Sequence, residues 1–135
     1  MAALDKAAHP GGLFSFGAPV LVLDSITEAI GPGVGCVVVC GSHGGLSAGR
    51  FALQAQVKLV VFNDAGVGLD QAGIAALPLM QHEGVAACTV SHLSARIGDA
   101  NSTLSTGVIS HVNACAQQLG ARPGTALRSW LLSAR

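Results

Sequence analysis

"VVVCGSHGGLSAG", residues Val37 to Gly49, decides how the chain is read. Four apolar residues, Val37 to Cys40, run straight into Gly41-Ser42-His43-Gly44-Gly45, and a helix-compatible segment follows. A strand that is apolar at every position is buried on both faces, as strands of parallel sheets are. The glycines allow a tight turn and close backbone approach. The stretch therefore reads as a strand, a polar corner and a helix.

Working outward, the same alternation recurs. Further apolar runs at Pro19–Ile26, Val57–Asn63 and Val85–Ser91 join Cys36–Cys40 as strands. Between them, "GLSAGRFALQAQ" offers an imperfect helical face through Leu46, Phe51, Leu53 and Ala55. "LDQAGIAALPLMQHEG" is expected to be a second helix, with Asp70 as N-cap and Gly84 just past its end. Pro78 inside it predicts a kink or an early stop. Leu104, Val108, Val112, Cys115 and Leu119 make one apolar stripe at helical spacing, so a long last helix is expected, capped by Asn101 or Ser102 and ended at Gly120. Strands alternating with helices predict an α/β fold. The expected form is a small three-layer sandwich on a mostly parallel sheet of about four strands, Rossmann-like or flavodoxin-like.

The length of 135 residues fits a single α/β domain over 1–135. Residues 1–18 lack periodicity and read as an irregular N-terminal arm. Residues 121–135 read as a tail whose Trp130, Leu131 and Leu132 need cover, from the core or from another subunit. Half of the residues are hydrophobic and only 10% are charged, against about a quarter in ordinary soluble domains. That balance predicts a buried sheet and a homo-oligomer. Formal net charge is zero, and the seven basic residues form no run, so a nucleic-acid footprint is lacking. The apolar runs are far shorter than a membrane span, and "MAALDKAAHPGG" has no signal core. A cytoplasmic protein is expected. Cys36, Cys40, Cys88 and Cys115 lie in apolar stretches without a CxxC and read as buried free thiols, not as disulfides or zinc ligands.

Ligands of open α/β sheets bind at the carboxyl ends of the strands. Here those ends carry Asp24-Ser25, then Gly41 to Gly45, then Asn63-Asp64-Ala65-Gly66, then Ser91-His92 followed by Ser94, Arg96 and Asp99. Three of the seven acidic residues are among them. A parallel sheet would gather this polar chemistry along one edge.

Three chemistries compete for the corner. "CGSHG" resembles the G-x-S-x-G nucleophile elbow of α/β-hydrolases, with Cys40 in the first glycine position. The likeness covers five residues, and the chain is too short for a full α/β-hydrolase sheet. It implies Ser42 as nucleophile, with His43 and Gly44 N–H groups for an oxyanion. His92 would serve as base, and Asp64 or Asp99 would orient it. The second chemistry is an anion cradle. Gly44 and Gly45 would present N–H groups at a helix start, and Arg96 would supply a carboxylate or phosphate fork. Neither a Walker pattern nor a G-x-G-x-x-G after a strand occurs, so no nucleotide cofactor is expected. The third is a metal held by His43, His92 and Asp64, with His111 in reserve; no local ligand spacing favours it.

Bland readings stand beside each. Ser42 and His43 also read as turn residues, "NDAG" as a turn, and Arg96 and Asp99 as a local pair. His111 reads as a packed histidine beside the stripe, and His9 and His82 as exposed. The expectation is an enzyme acting on a small anionic molecule, a hydrolase of an ester, amide or lactam. Ser42, His92, Asp64 and His43 would be catalytic, with Gly44, Gly45, Asn63, Ser94, Arg96 and Asp99 binding substrate. A variant uses histidine acid–base chemistry without a covalent step. The alternative is a non-catalytic anion-binding or subunit-interaction protein.

Overall fold

The computed structural model describes residues 12–134 of the chain. His9 and most of the expected N-terminal arm lie outside the described residues. The chain folds as α/β, with one sheet of six strands rather than four. These are β1 (Phe14–Ser15), β2 (Ala18–Leu23), β3 (Val37–His43), β4 (Leu59–Asn63), β5 (Ala86–Val90) and β6 (Ile109–Val112). Strands β2 to β5 are parallel to their neighbours, while the short outer strands β1 and β6 pair antiparallel. The order is sequential, β1-β2-β3-β4-β5-β6. Rossmann and flavodoxin-like sheets reverse their order at a switch point, so those expectations are corrected.

Five α-helices cover the sheet: α1 (Leu46–Ala55), α2 (Ala76–His82), α3 (Ala100–Thr106), α4 (Ala114–Gln118) and α5 (Leu127–Ser133). Successive parallel crossovers of one hand put their helices on one face. Accordingly α1, α2 and a 3-10 turn at Ile26–Ala29 bury Leu21, Val38, Val60 and Phe62. The C-terminal part of the chain closes the other face over Val20, Val39, Val61 and Cys88. Trp130 and Leu131 supply cover from α5, so both are buried within their own chain. Trp130 also meets Phe16 edge-on at 5.3 Å and donates its indole N–H to the Leu119 carbonyl.

Two helix expectations fail for local reasons. Of the apolar stripe, Leu104, Val112, Cys115 and Leu119 do pack on the second core, but they come from α3, β6, α4 and the residue just past α4. Gly107 ends α3, and a Cβ there would lie 2.2 Å from the Thr103 carbonyl oxygen. The β-branched Val108, Ile109 and Val112 then favour extended chain. Neither Asn101 nor Ser102 caps α3; Asp99 does, through the Ser102 N–H. The expected helix from Leu69 begins as a kinked 3-10 turn, Leu69–Ile74. Asp70, at φ +55°, lies inside that turn and is no N-cap. Pro78 falls in the first turn of α2, where a missing N–H costs nothing.

Candidate functional site

Parallel pairing does bring the four polar strand ends to one edge. The side chains there are spent very differently along that edge.

At the β2–β3 end, backbone bonding consumes most of the polar atoms. Strand β3 does not stop at Cys40; it runs on through Ser42 to His43, with a register irregularity against β4. Ser42 Oγ accepts the Ile26 N–H at 3.0 Å, and no histidine hydrogen-bonds it. Ser25 caps the 3-10 turn reciprocally with Glu28. Asp24 accepts the Ala100 N–H at 3.0 Å. The ring of His43 folds against Gly45, where an added Cβ would come within 2.7 Å of its Cε1. A cavity of about 490 Å3 remains here, with Asp24, Ser42, His43 and Ser47 in its lining.

The segment from Ser91 to Asp99 explains its own polarity. It carries the chain across the sheet edge from β5 to α3, which packs on β3. Ser91 Oγ accepts the Leu93 N–H, and Ser94 Oγ accepts the Val108 N–H while donating to the Ser91 carbonyl. Gly98 N–H reaches the Gly41 carbonyl at 2.7 Å. A Cβ at Gly41 would stand 2.4 Å from the Asp99 nitrogen, so only glycine fits beneath this crossing. Asp99 caps α3 and makes no ion pair with Arg96, whose own side chain is exposed and lines neither cavity.

Gly44 and Asn63 are joints of the same kind. The Gly44 N–H donates to the Asn63 carbonyl, and the Gly44 carbonyl accepts from Ala76. Asn63 holds Ala95 and Ala65 through its amide.

The β4–β6 end is different, because its titratable groups face one another. Asp64 is only 4% exposed. Its Oδ1 accepts the Gly66 N–H at 2.8 Å and the His92 N–H at 3.0 Å. His92 Nδ1 stands 3.3 Å from the same oxygen, and His111 Nδ1 stands 3.9 Å from Oδ2. Burial alone would raise the Asp64 carboxyl. The N–H of Gly66, the Ser110 hydroxyl, and the N–H and ring charge of His92 outweigh it and hold the group below its ordinary value. Asp64 is therefore a carboxylate wherever imidazole titrates. Neither imidazole makes a ring hydrogen bond to the carboxylate: His92 Nδ1 stands within ion-pair range of it, and His111 Nδ1 meets the Thr89 and Ser110 hydroxyls. The Nε2 atoms of both rings have no hydrogen-bond partner among the described residues, and the side chains are 47% and 39% exposed.

His111, expected to pack beside the helical stripe, is instead placed by a bulge. Thr89 pairs with His111, but Val90 pairs with Ile109, leaving Ser110 as the extra residue. Bulges re-aim side chains. This one puts Ile109 into the second core and His111 beside Thr89, with Thr89 Oγ1 at 3.4 Å and Ser110 Oγ at 3.3 Å from Nδ1. His111 also lines a second, larger cavity of about 750 Å3 beside β6. The loop after β4 is backbone-strained at this end. Ala65, Gly66, Val67 and Gly68 all have positive φ, and Val67 is β-branched. The loop lays Gly66 against the His92 ring, within 3.5 Å of an added Cβ.

The cysteines take no part. Burial pushes the Cys40 and Cys88 thiols up to about 12, which leaves them protonated and unreactive. Among the described residues, no group of three or more His, Cys, Asp or Glu is arranged to hold a metal ion, so the His43–His92–Asp64 set is not assembled. No helix of the described residues is long and apolar enough to cross a membrane.

Fold and site together define an α/β protein with a carboxylate flanked by two imidazoles at the carboxyl end of its parallel sheet. Comparison with protein-family models, curated proteins and solved structures gave no match for this chain.

Proposed function

We propose that the protein is an enzyme on a small molecule and that its chemistry is histidine acid–base catalysis centred on Asp64, His92 and His111. The observation that carries this reading is the nearly buried Asp64 carboxylate, kept ionised and facing two half-exposed imidazoles. In it, Asp64 is a positioning residue that fixes the proton on Nδ1 of His92. That leaves the Nε2 lone pair as a base. Hydrolysis of an ester, amide or lactam fits without a serine nucleophile. His92 Nε2 takes a proton from water, the hydroxide adds to the carbonyl, and the proton passes to the departing oxygen or nitrogen. Ser42, bonded to Ile26 and not to a histidine, is left outside this chemistry.

The test is a panel of esters, amides and lactams assayed with wild type, His92→Gln, Asp64→Asn and Ser42→Ala, alongside labelling by a serine-reactive fluorophosphonate. The reading expects turnover that survives Ser42→Ala and collapses in the other two, with no labelling at Ser42. Labelling of Ser42 together with loss of activity in Ser42→Ala would overturn it.

A second reading, subunit interaction, is favoured by Leu69 and Leu93, which are 84% and 86% exposed in the segments that follow Asp64 and His92. Sedimentation equilibrium of wild type and Leu93→Ser separates the two. An interface requires a dimer that the substitution weakens, and an apolar rim to a substrate site does not.

A further inference from the structure

The groove beside β6 has a lining that says more about its occupant than about the reaction. Its volume of about 750 Å3 lies within the roughly 300–1,000 Å3 of small-molecule sites. Leu46, Ile74, Leu77, Pro78 and Pro123 make its walls apolar. Among the described residues, no lysine or arginine lines it, and Asp70 is the one carboxylate that does. Of the polar groups, Asn113 is fully engaged. Its Oδ1 accepts from Ala87 and Ala116, and its Nδ2 donates to Leu77 and Val85. Gln81 spends its carbonyl oxygen on the Cys115 N–H at 2.8 Å, which leaves its NH2 as a donor. Gln71 adds a second amide. At the strand end of the groove stand Ser110 and His111, the members of the Asp64 cluster that line it.

We infer that this groove is the substrate site and that it takes a molecule with a mainly apolar body and a neutral or cationic end, not the anionic metabolite that the polar strand ends suggest. The inference rests on the acid–base reading for the word "substrate", and on the groove alone for the class of molecule. An anion entering here would lose hydration and meet Asp70 with no lysine or arginine among the described lining residues to compensate. An ammonium or hydroxyl group would find Asp70 and the amide of Gln71. The apolar body would lie along Ile74, Leu77 and Pro78, with its reacting group carried past His111, at the strand end of the groove, toward His92, which does not itself line it. The one arginine that the anionic expectation used, Arg96, lines neither cavity.

The experiment uses three probes with one ring system and different ends: tryptamine, tryptophol and indole-3-propionate. Each is titrated into the full chain and followed by 1H–15N chemical shifts. Shifts should centre on Ile74, Val112 and the Gln81 side chain. Tryptamine and tryptophol should bind about tenfold more tightly than indole-3-propionate. Asp70→Asn, an exposed position, should remove the preference for tryptamine over tryptophol. The inference is overturned if the propionate binds best, if the shifts centre on Ser42 and Ser47 instead, or if no probe binds at millimolar concentration. Binding is read without turnover, so the two readings fail separately. Loss of probe binding with activity still dependent on His92 removes the substrate class. Intact binding with activity indifferent to His92 removes the acid–base centre.

Discussion

The two ends of one sheet edge, β2–β3 and β4–β6, look alike in sequence and differ in what their polar atoms do. Both place serine, histidine and aspartate just past buried apolar strands. At β2–β3, Ser42, Ser25 and Asp24 each bond a backbone N–H and serve to hold turns together. At β4–β6, Asp64 also bonds two N–H groups, yet it keeps two imidazoles beside it with their far nitrogens unengaged. What separates structural polarity from chemical polarity is which atoms remain after the backbone is satisfied. Residue type and position at a strand end do not decide it.

The contrast is broken or sharpened by substitution, and the largest effect should be on turnover. Removing the His92 base by His92→Gln should lower the rate by about 10²–10⁴-fold, the usual worth of general acid–base catalysis. Ser42→Ala should stay within about threefold, because its hydroxyl bonds only structure. Steady-state rates on the same substrate decide this, and a Ser42→Ala defect as deep as that of His92→Gln would erase the difference between the ends.

Next comes stability. Asp64→Ala strands the N–H groups of Gly66 and His92, at about 1–3 kcal/mol for each unsatisfied group. Chemical denaturation should therefore show a loss of about 2–6 kcal/mol. Ser42→Ala frees the N–H of Ile26, near the edge of an open cavity, and should cost about 1 kcal/mol. Equal losses would mean that both ends are ordinary turn chemistry.

The smallest effect is a pH dependence. The Asp64 carboxyl is held below its unfolded value, chiefly against burial and by the bonds from Gly66, Ser110 and His92. A depressed carboxylate adds stability that is fully present above its unfolded pKa, about 3.9, and is lost as pH falls through the folded value. The stability gap between wild type and Asp64→Asn should thus be constant near neutrality and close in acid. Urea midpoints measured down the acidic limb check it; a gap that widens in acid reverses the sign.

How much of this could be read in the chain depends on the element. Val37 to Val39 and Val60-Val61 announce buried parallel strands, because no polar residue interrupts them. The gathering of Asp24, Ser42, Asp64 and His92 along one edge follows from parallel pairing alone. His111 could not be placed, since its role rests on a bulge at Ser110 that no periodicity encodes. The same segment fits a helical stripe in sequence, whereas Gly107 and the β-branched residues give β6. The density of polar residues between Ser91 and Asp99 was real, but it serves a crossing over Gly41 that depends on strand order. Strand order is set by long-range pairing and leaves no local mark.

The proton on His92 tests the central claim most directly. Long-range 1H–15N correlation at a pH where the ring is neutral reports which nitrogen is protonated, without any substrate. With Asp64 ionised and 3.3 Å from Nδ1, the proton should sit on Nδ1 in wild type, leaving Nε2 bare. A His92 ring protonated on Nε2 beside an ionised Asp64 would contradict the account, because it would have no base to offer.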